Sequence, residues 1–199
     1  MTEVGRRERK RLQTHEALID AAARLFREKG FDSTTVEDIT EAADVSARTF
    51  FRHFSSKEDV VFAGMSDRVG ELGEALAARP ADEAVLTSVR QALLSLVHVF
   101  EDERDRLLLQ AELVDQSPSV AARSVHLRNE LSDLIAGGVA ERLGVDPDVD
   151  LRPKLVGGAI VGALGAAVDT WVSGGARDAL GARVERALAL LERNFGLDD

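Results

Sequence analysis

A chain of 199 residues, 45% apolar and 30% charged, is long enough for one or two domains and a sizeable core. Cysteine is absent, which excludes disulfides, thiolate nucleophiles and thiolate metal sites and fits a reducing, cytoplasmic compartment. A net charge of −10 argues against a nucleic-acid coat protein. The N-terminus is charged rather than signal-like, and no uninterrupted apolar run reaches the roughly 18 residues of a membrane span, so no membrane association is expected.

The charge is unevenly spread. Residues 1–62 hold 11 Lys/Arg against 12 Asp/Glu, whereas residues 63–199 hold 14 against 23. The N-terminal part is therefore near neutral, and local cations there can still meet an anionic partner, because counterion release follows the phosphates neutralised and not the total charge.

Residues 1 to about 10 lack apolar periodicity and read as a flexible arm, in which Arg6, Arg7, Arg9, Lys10 and Arg11 gather five cations. A helix from about Arg11 to Lys29 carries Leu12, Leu18, Ile19, Ala22, Leu25 and Phe26 on one face, and Gly30 ends it. Thr35 with Asp38 and Ser56 with Asp59 are N-terminal capping patterns. Between them, about Val36–Ala43 and Ala47–Phe54 form two short helices, broken and re-capped by Asp44-Val45-Ser46. Phe50 and Phe54 are four apart and are expected to face inward. A fourth helix starts after Ser56, with a break near Gly64, and stops at Pro80.

The remainder is helical throughout: about Glu83–Phe100, Asp102–Gln116, Ser119–Leu143, Leu151–Val172 and Asp178–Phe195. The expected class is all-α with about nine or ten helices, a small domain at 1–62 and a larger bundle at 63–199. Gly158, Gly162 and Gly165 lie on one face of the helix at Leu151–Val172. Glycine costs a helix about 1 kcal/mol relative to alanine, so such a stripe points to close packing, within the monomer or across a dimer axis.

Two short helices joined by a tight turn are the layout of a helix-turn-helix, whose second helix enters the major groove of double-stranded DNA. The segments ALIDAAARLFREKGF, TTVEDIT and DVSARTFFRHFSSKEDV closely resemble the DNA-binding domain of TetR-family bacterial regulators. Two positions depart from that pattern: Asp44 replaces the usual turn Gly, and Phe51 replaces the usual Tyr. Asp tolerates a left-handed backbone; Phe51 keeps the aromatic body but loses a hydroxyl that could reach phosphate.

In this frame Ser46, Ala47, Arg48 and Thr49 open the recognition helix. Arg48 is the candidate for direct readout, because a guanidinium can bond guanine O6 and N7 together; Thr49 can meet a thymine methyl or a phosphate. The resemblance places Thr35, Phe51, His53 and Lys57 against the DNA backbone. It also implies a homodimer built on the last two long helices and a small-molecule effector in the C-terminal bundle. The Leu/Val/Ala-rich interior, with Phe100 and Trp171, favours a mostly apolar effector. The stretch from PADEAVLTSVRQALL to ERLGVDPD resembles actinobacterial regulators, some of which sense acyl-CoA esters. His98, Gln110, Ser124, Arg128 and Trp171 are candidate ligand contacts.

An enzyme is disfavoured: the sequence holds no nucleophile elbow, phosphate loop or paired histidines at metal spacing, and no cofactor is expected. A helical interaction protein with a silent head domain is the other alternative. The expected function is a one-component regulator, a repressor that leaves a near-palindromic operator when the effector binds.

Overall fold

The computed structural model describes residues 3–101 and 103–195. Ten helices and no strand occur among the described residues: α1 Glu3–Lys29, α2 Val36–Ala42, α3 Ala47–His53, α4 Lys57–Val61, α5 Met65–Ala77, α6 Val85–Glu101, α7 Arg104–Gln116, α8 Pro118–Leu143, α9 Leu151–Ser173 and α10 Leu180–Phe195.

The expected arm at residues 1–10 needs correction. Residues 3–10 are already helical, the first turns of α1. Their polar residues carry no core-facing stripe but are good helix formers. Arg11 also pairs with Glu8 one turn back at 2.6 Å, and the Thr14 hydroxyl donates to the Lys10 carbonyl. Leu12 is a second correction: it is 51% exposed, while Leu18, Ile19, Ala22 and Phe26 of the same face are buried. The helix simply begins before the core does.

Two compact units divide the chain. One contains residues 1–63 and 109–124, the other 64–108 and 125–199. The boundary near residue 63 coincides with Gly64, whose φ of 78° is left-handed and separates α4 from α5. The first unit also takes in the end of α7 and the start of α8, an elbow that chain order alone would assign to the bundle.

In the first unit Leu18, Ile19, Ala22, Phe26, Phe31, Ile39, Phe50, Phe54 and Val60 are buried. Phe26 and Phe31 tilt together at 5.0 Å, and Phe50 and Phe54 at 5.7 Å, offset geometries that suit aromatic pairs. The elbow is tied to the unit by polar contacts. Ser117 Oγ donates to Asp32 at 3.3 Å, Ser119 Oγ to Glu58 at 2.9 Å, and Arg123 Nε to Asp59 at 2.7 Å.

The second unit is a bundle of α5, α6, the start of α7, most of α8, α9 and α10. Its core joins Leu72, Leu76, Val89, Leu93, Leu107, Ile135, Val139, Ile160, Ala167, Trp171, Leu180, Val184 and Leu188. Helices α9 and α10 form its most extensive pair. Their connection is pinned: Arg104 donates to the carbonyls of Gly175 and Ala176, and the Trp171 indole N–H to that of Asp178 at 2.7 Å. Arg142 likewise donates to three carbonyls at the end of α5, those of Leu76, Arg79 and Pro80.

Within α9 it is Gly157, not the 158/162/165 stripe, that makes the close approach inside the bundle. A Cβ there would lie 2.4 Å from the Ser132 carbonyl oxygen, whereas Gly158, Gly162 and Gly165 have nothing within 4 Å. Packing within one chain therefore does not account for the stripe.

Candidate nucleic-acid interface

Helices α2 and α3 are each seven residues long, so neither is stable alone; caps and buried contacts hold them. Thr35 and Asp38 form a complete capping box. The Asp38 amide donates to the Thr35 hydroxyl at 3.1 Å, and Thr35 N–H donates to the Asp38 carboxylate at 2.8 Å. Lys29 adds an ion pair to Asp38 at 2.6 Å, which holds that carboxyl well below its usual range together with the two Thr35 donors.

The turn between α2 and α3 is left-handed at Asp44, with φ of 52°. The Asp44 amide reaches back to Glu41 and that of Val45 to Thr40, closing the end of α2. An aspartate at the position where the pattern has glycine thus takes the same backbone conformation. Ser46 then caps α3: its hydroxyl accepts from the Thr49 amide at 3.2 Å and lies 3.1 Å from the Thr49 hydroxyl.

Phe50 and Phe54 anchor α3, with Phe50 fully buried, and this sets which face looks out. Ser46, Ala47, Arg48 and Arg52 are exposed, Thr49 is half-buried, and Phe51 is 58% exposed with its ring edge-on to Phe50 at 5.3 Å. A large aromatic and an arginine thus project outward from a short anchored helix, side chains of the types that meet sugar-phosphate and base edges in protein–DNA contacts. Arg7, Arg9, Lys10 and Arg11 are exposed on α1; the side chain of Arg6 lies outside the described residues.

Two of the predicted backbone contacts have other hydrogen-bond partners, and a third is turned partly inward. The Thr35 hydroxyl donates to Asp38 at 2.7 Å, so its one proton is committed to the cap. Lys57 Nζ donates to the carbonyls of Phe31 and Thr34. His53 is half-buried, its ring 5.7 Å from His15, and its Nε2 is buried without a hydrogen-bond partner. His15 itself stacks on Phe54 at 4.8 Å. Burial lowers the His53 pKa from 6.5, with smaller contributions from His15, Arg52 and Arg11.

The predicted ligand contacts are dispersed. Gln110 and Ser124 are half-buried and belong to the unit containing α3; Arg128, expected to matter only if it faced inward, is exposed. Trp171 lies in the core of the bundle, with its only donor already used, so it can offer a ligand its ring alone. The His98 side chain lies outside the described residues. Sequence reasoning missed Asp32 and Arg123, and read Asp59 only as part of a helix cap, because the contacts they make span 85 and 64 residues and carry no periodic signal.

Comparison with known families agrees with this geometry. Residues 18–63 match the bacterial regulatory proteins of the tetR family, and residues 83–196, more than half of the chain, match the MftR C-terminal domain. The chain belongs to the TetR family of transcriptional regulators. It is 37% identical to the regulator TcmR of Streptomyces glaucescens over 76% of this chain and 70% of that protein. It is 30% identical to the putative mycofactocin biosynthesis regulator MftR of Mycobacterium tuberculosis over 96% of both. The Thermus thermophilus repressor FadR, solved with lauroyl-CoA, superposes with a TM-score of 0.61 at 27% identity, covering 89% of this chain and 92% of that one. This TetR-family member is thus a helix-turn-helix transcriptional regulator.

Proposed function

We propose that the chain is a homodimeric repressor that holds a near-palindromic operator and releases it when a mostly apolar small molecule enters the C-terminal bundle. Residues 1–62 act as the DNA-reading domain and 63–199 as the effector and dimer domain, with the elbow at 109–124 joined to the reader. The observation that carries this is the exposed face of α3, with Arg48 and Phe51 outward on a helix anchored by Phe50 and Phe54. Two half-sites one DNA turn apart require two such helices, hence a dimer.

Helix α9 supplies a surface for that dimer. It is long and apolar enough to cross a membrane by length and composition, yet only 22% of its most apolar window is buried within the chain. Exposed Leu151 and Leu155 and an open glycine stripe on this helix suit a partner helix better than water. A second copy fits because every copy presents the same self-complementary face. For the effector, the aliphatic core of the bundle favours a lipid-like molecule, and an acyl-CoA is the first candidate because the similar FadR was solved with one. Release follows only if the effector prefers the state that does not bind DNA.

The test is selection of bound duplexes from a random pool by the full-length protein near physiological salt. A recovered palindrome supports reader and dimer together, and adding lauroyl-CoA to that complex then asks whether it dissociates. No enriched sequence, with weak and salt-sensitive binding only, would favour a helical interaction protein instead.

A further inference from the structure

Lys57 opens α4 and is half-buried, with its ammonium turned toward backbone carbonyls. Its ammonium donates to the Phe31 carbonyl at 2.9 Å and the Thr34 carbonyl at 3.1 Å. It also sits 4.2 Å from the centroid of the Phe31 ring, a cation–π contact with a buried aromatic. Two of its three donors and its near face are therefore directed at the loop between α1 and α2.

That loop is where α2 is set. Thr34 is buried and its hydroxyl donates to the Gly30 carbonyl at 2.7 Å; the next residue, Thr35, is the cap of α2. Residues 35–56 contain α2, the turn, α3 and the start of the next cap. Lys57 and Thr34 stand at the two ends of this segment, 23 positions apart, and the ammonium ties them together. Hydrogen bonds from a charged donor are stronger than neutral ones, and closing the segment at its base removes a hinge motion from both short helices.

We propose that Lys57 is a positioning residue, a clasp that closes the helix-turn-helix at its base and acts on DNA through the placement of α2 and α3, not through a phosphate bond of its own. This rests on the DNA-reading function proposed above. A point charge on a flexible stem suits the task, since two carbonyls at different heights and a ring face need no planar fork.

The test compares wild type, Lys57→Met and Lys57→Arg as full-length proteins. Hydrogen exchange is measured without DNA, and affinity for the selected operator duplex across a salt series. The expected result for Lys57→Met is faster exchange at residues 34–42, an operator affinity lower by about tenfold, and a salt slope equal to wild type. Lys57→Arg, which can still donate to both carbonyls, recovers most of the affinity. A slope reduced by about one phosphate contact, with exchange at 34–42 unchanged, would overturn the clasp in favour of a direct contact. Unchanged operator affinity with only a lower melting temperature would also overturn it, leaving a brace with no bearing on DNA. If wild type selects no operator, the DNA-reading function fails, and the exchange data alone still decide whether Lys57 holds the loop.

Discussion

At the scale of single residues, the recognition surface depends on what each side chain is already doing. Arg48 is exposed and caps nothing, so its guanidinium is available for a base edge. Arg48→Ala is expected to relax discrimination at one base pair of the operator by about 1–3 kcal/mol, read as a binding series over single-base variants. Equal weakening at all sequences would reassign it to a phosphate. Thr35 and Lys57 look equivalent in sequence, but their hydroxyl proton and ammonium point to Asp38 and to two carbonyls.

His53 makes stability depend on pH. Its folded pKa lies below the ordinary 6.5, first because burial penalises the cation, then because of His15, Arg52 and Arg11. At higher pH both folded and unfolded chains carry the neutral ring and nothing is lost. As pH falls below 6.5 the unfolded chain takes up the proton first, so stability declines until the folded pKa is passed. The melting temperature of His53→Gln is expected to fall less than that of wild type across that window. Parallel curves for the two proteins would mean that His53 contributes nothing to the pH dependence.

At the scale of elements, short helices need external support and long ones need a face to bury. Helices α2, α3 and α4 all begin behind a Thr or Ser whose hydroxyl accepts the amide three residues on. In α8 and α9 the deciding positions are glycines. Gly157→Ala is expected to destabilise by about 1–3 kcal/mol, because the new Cβ meets backbone that cannot swing aside. Gly137→Ala, with open space around it, is expected to be neutral or stabilising by up to about 1 kcal/mol. Chemical denaturation of both variants checks the pair; equal effects would mean that the approach of α9 to Ser132 is not tight.

At the scale of the whole molecule, the acidic surplus and the apolar α9 belong to the same design. The surplus lies in residues 63–199, where like charge is expected to disfavour non-specific attachment to DNA, while the near-neutral 1–62 keeps its local cations. The open stripe of α9 is expected to meet its counterpart in a second copy. Sedimentation should give a dimer for wild type, and Gly162→Trp should shift it toward monomer and weaken operator binding in step. A wild-type monomer, with or without operator, would rule the surface out as a dimer interface.

Local signals by themselves determined much of this protein. Capping boxes, the helical period and the Phe50/Phe54 spacing are short-range, so the helices, the turn at Asp44, the inward phenylalanines and the break at Gly64 could all be read from the chain. The same signals erred at Leu12 and at residues 3–10, where helical propensity and burial part company. Only the tertiary structure decided which polar atoms were already paired. Lys57 with Thr34, Asp59 with Arg123 and Gly157 with Ser132 meet across 23 to 64 positions or across two helices. A side chain's residue type says which bonds it can make; only the folded chain says which partner reaches it first.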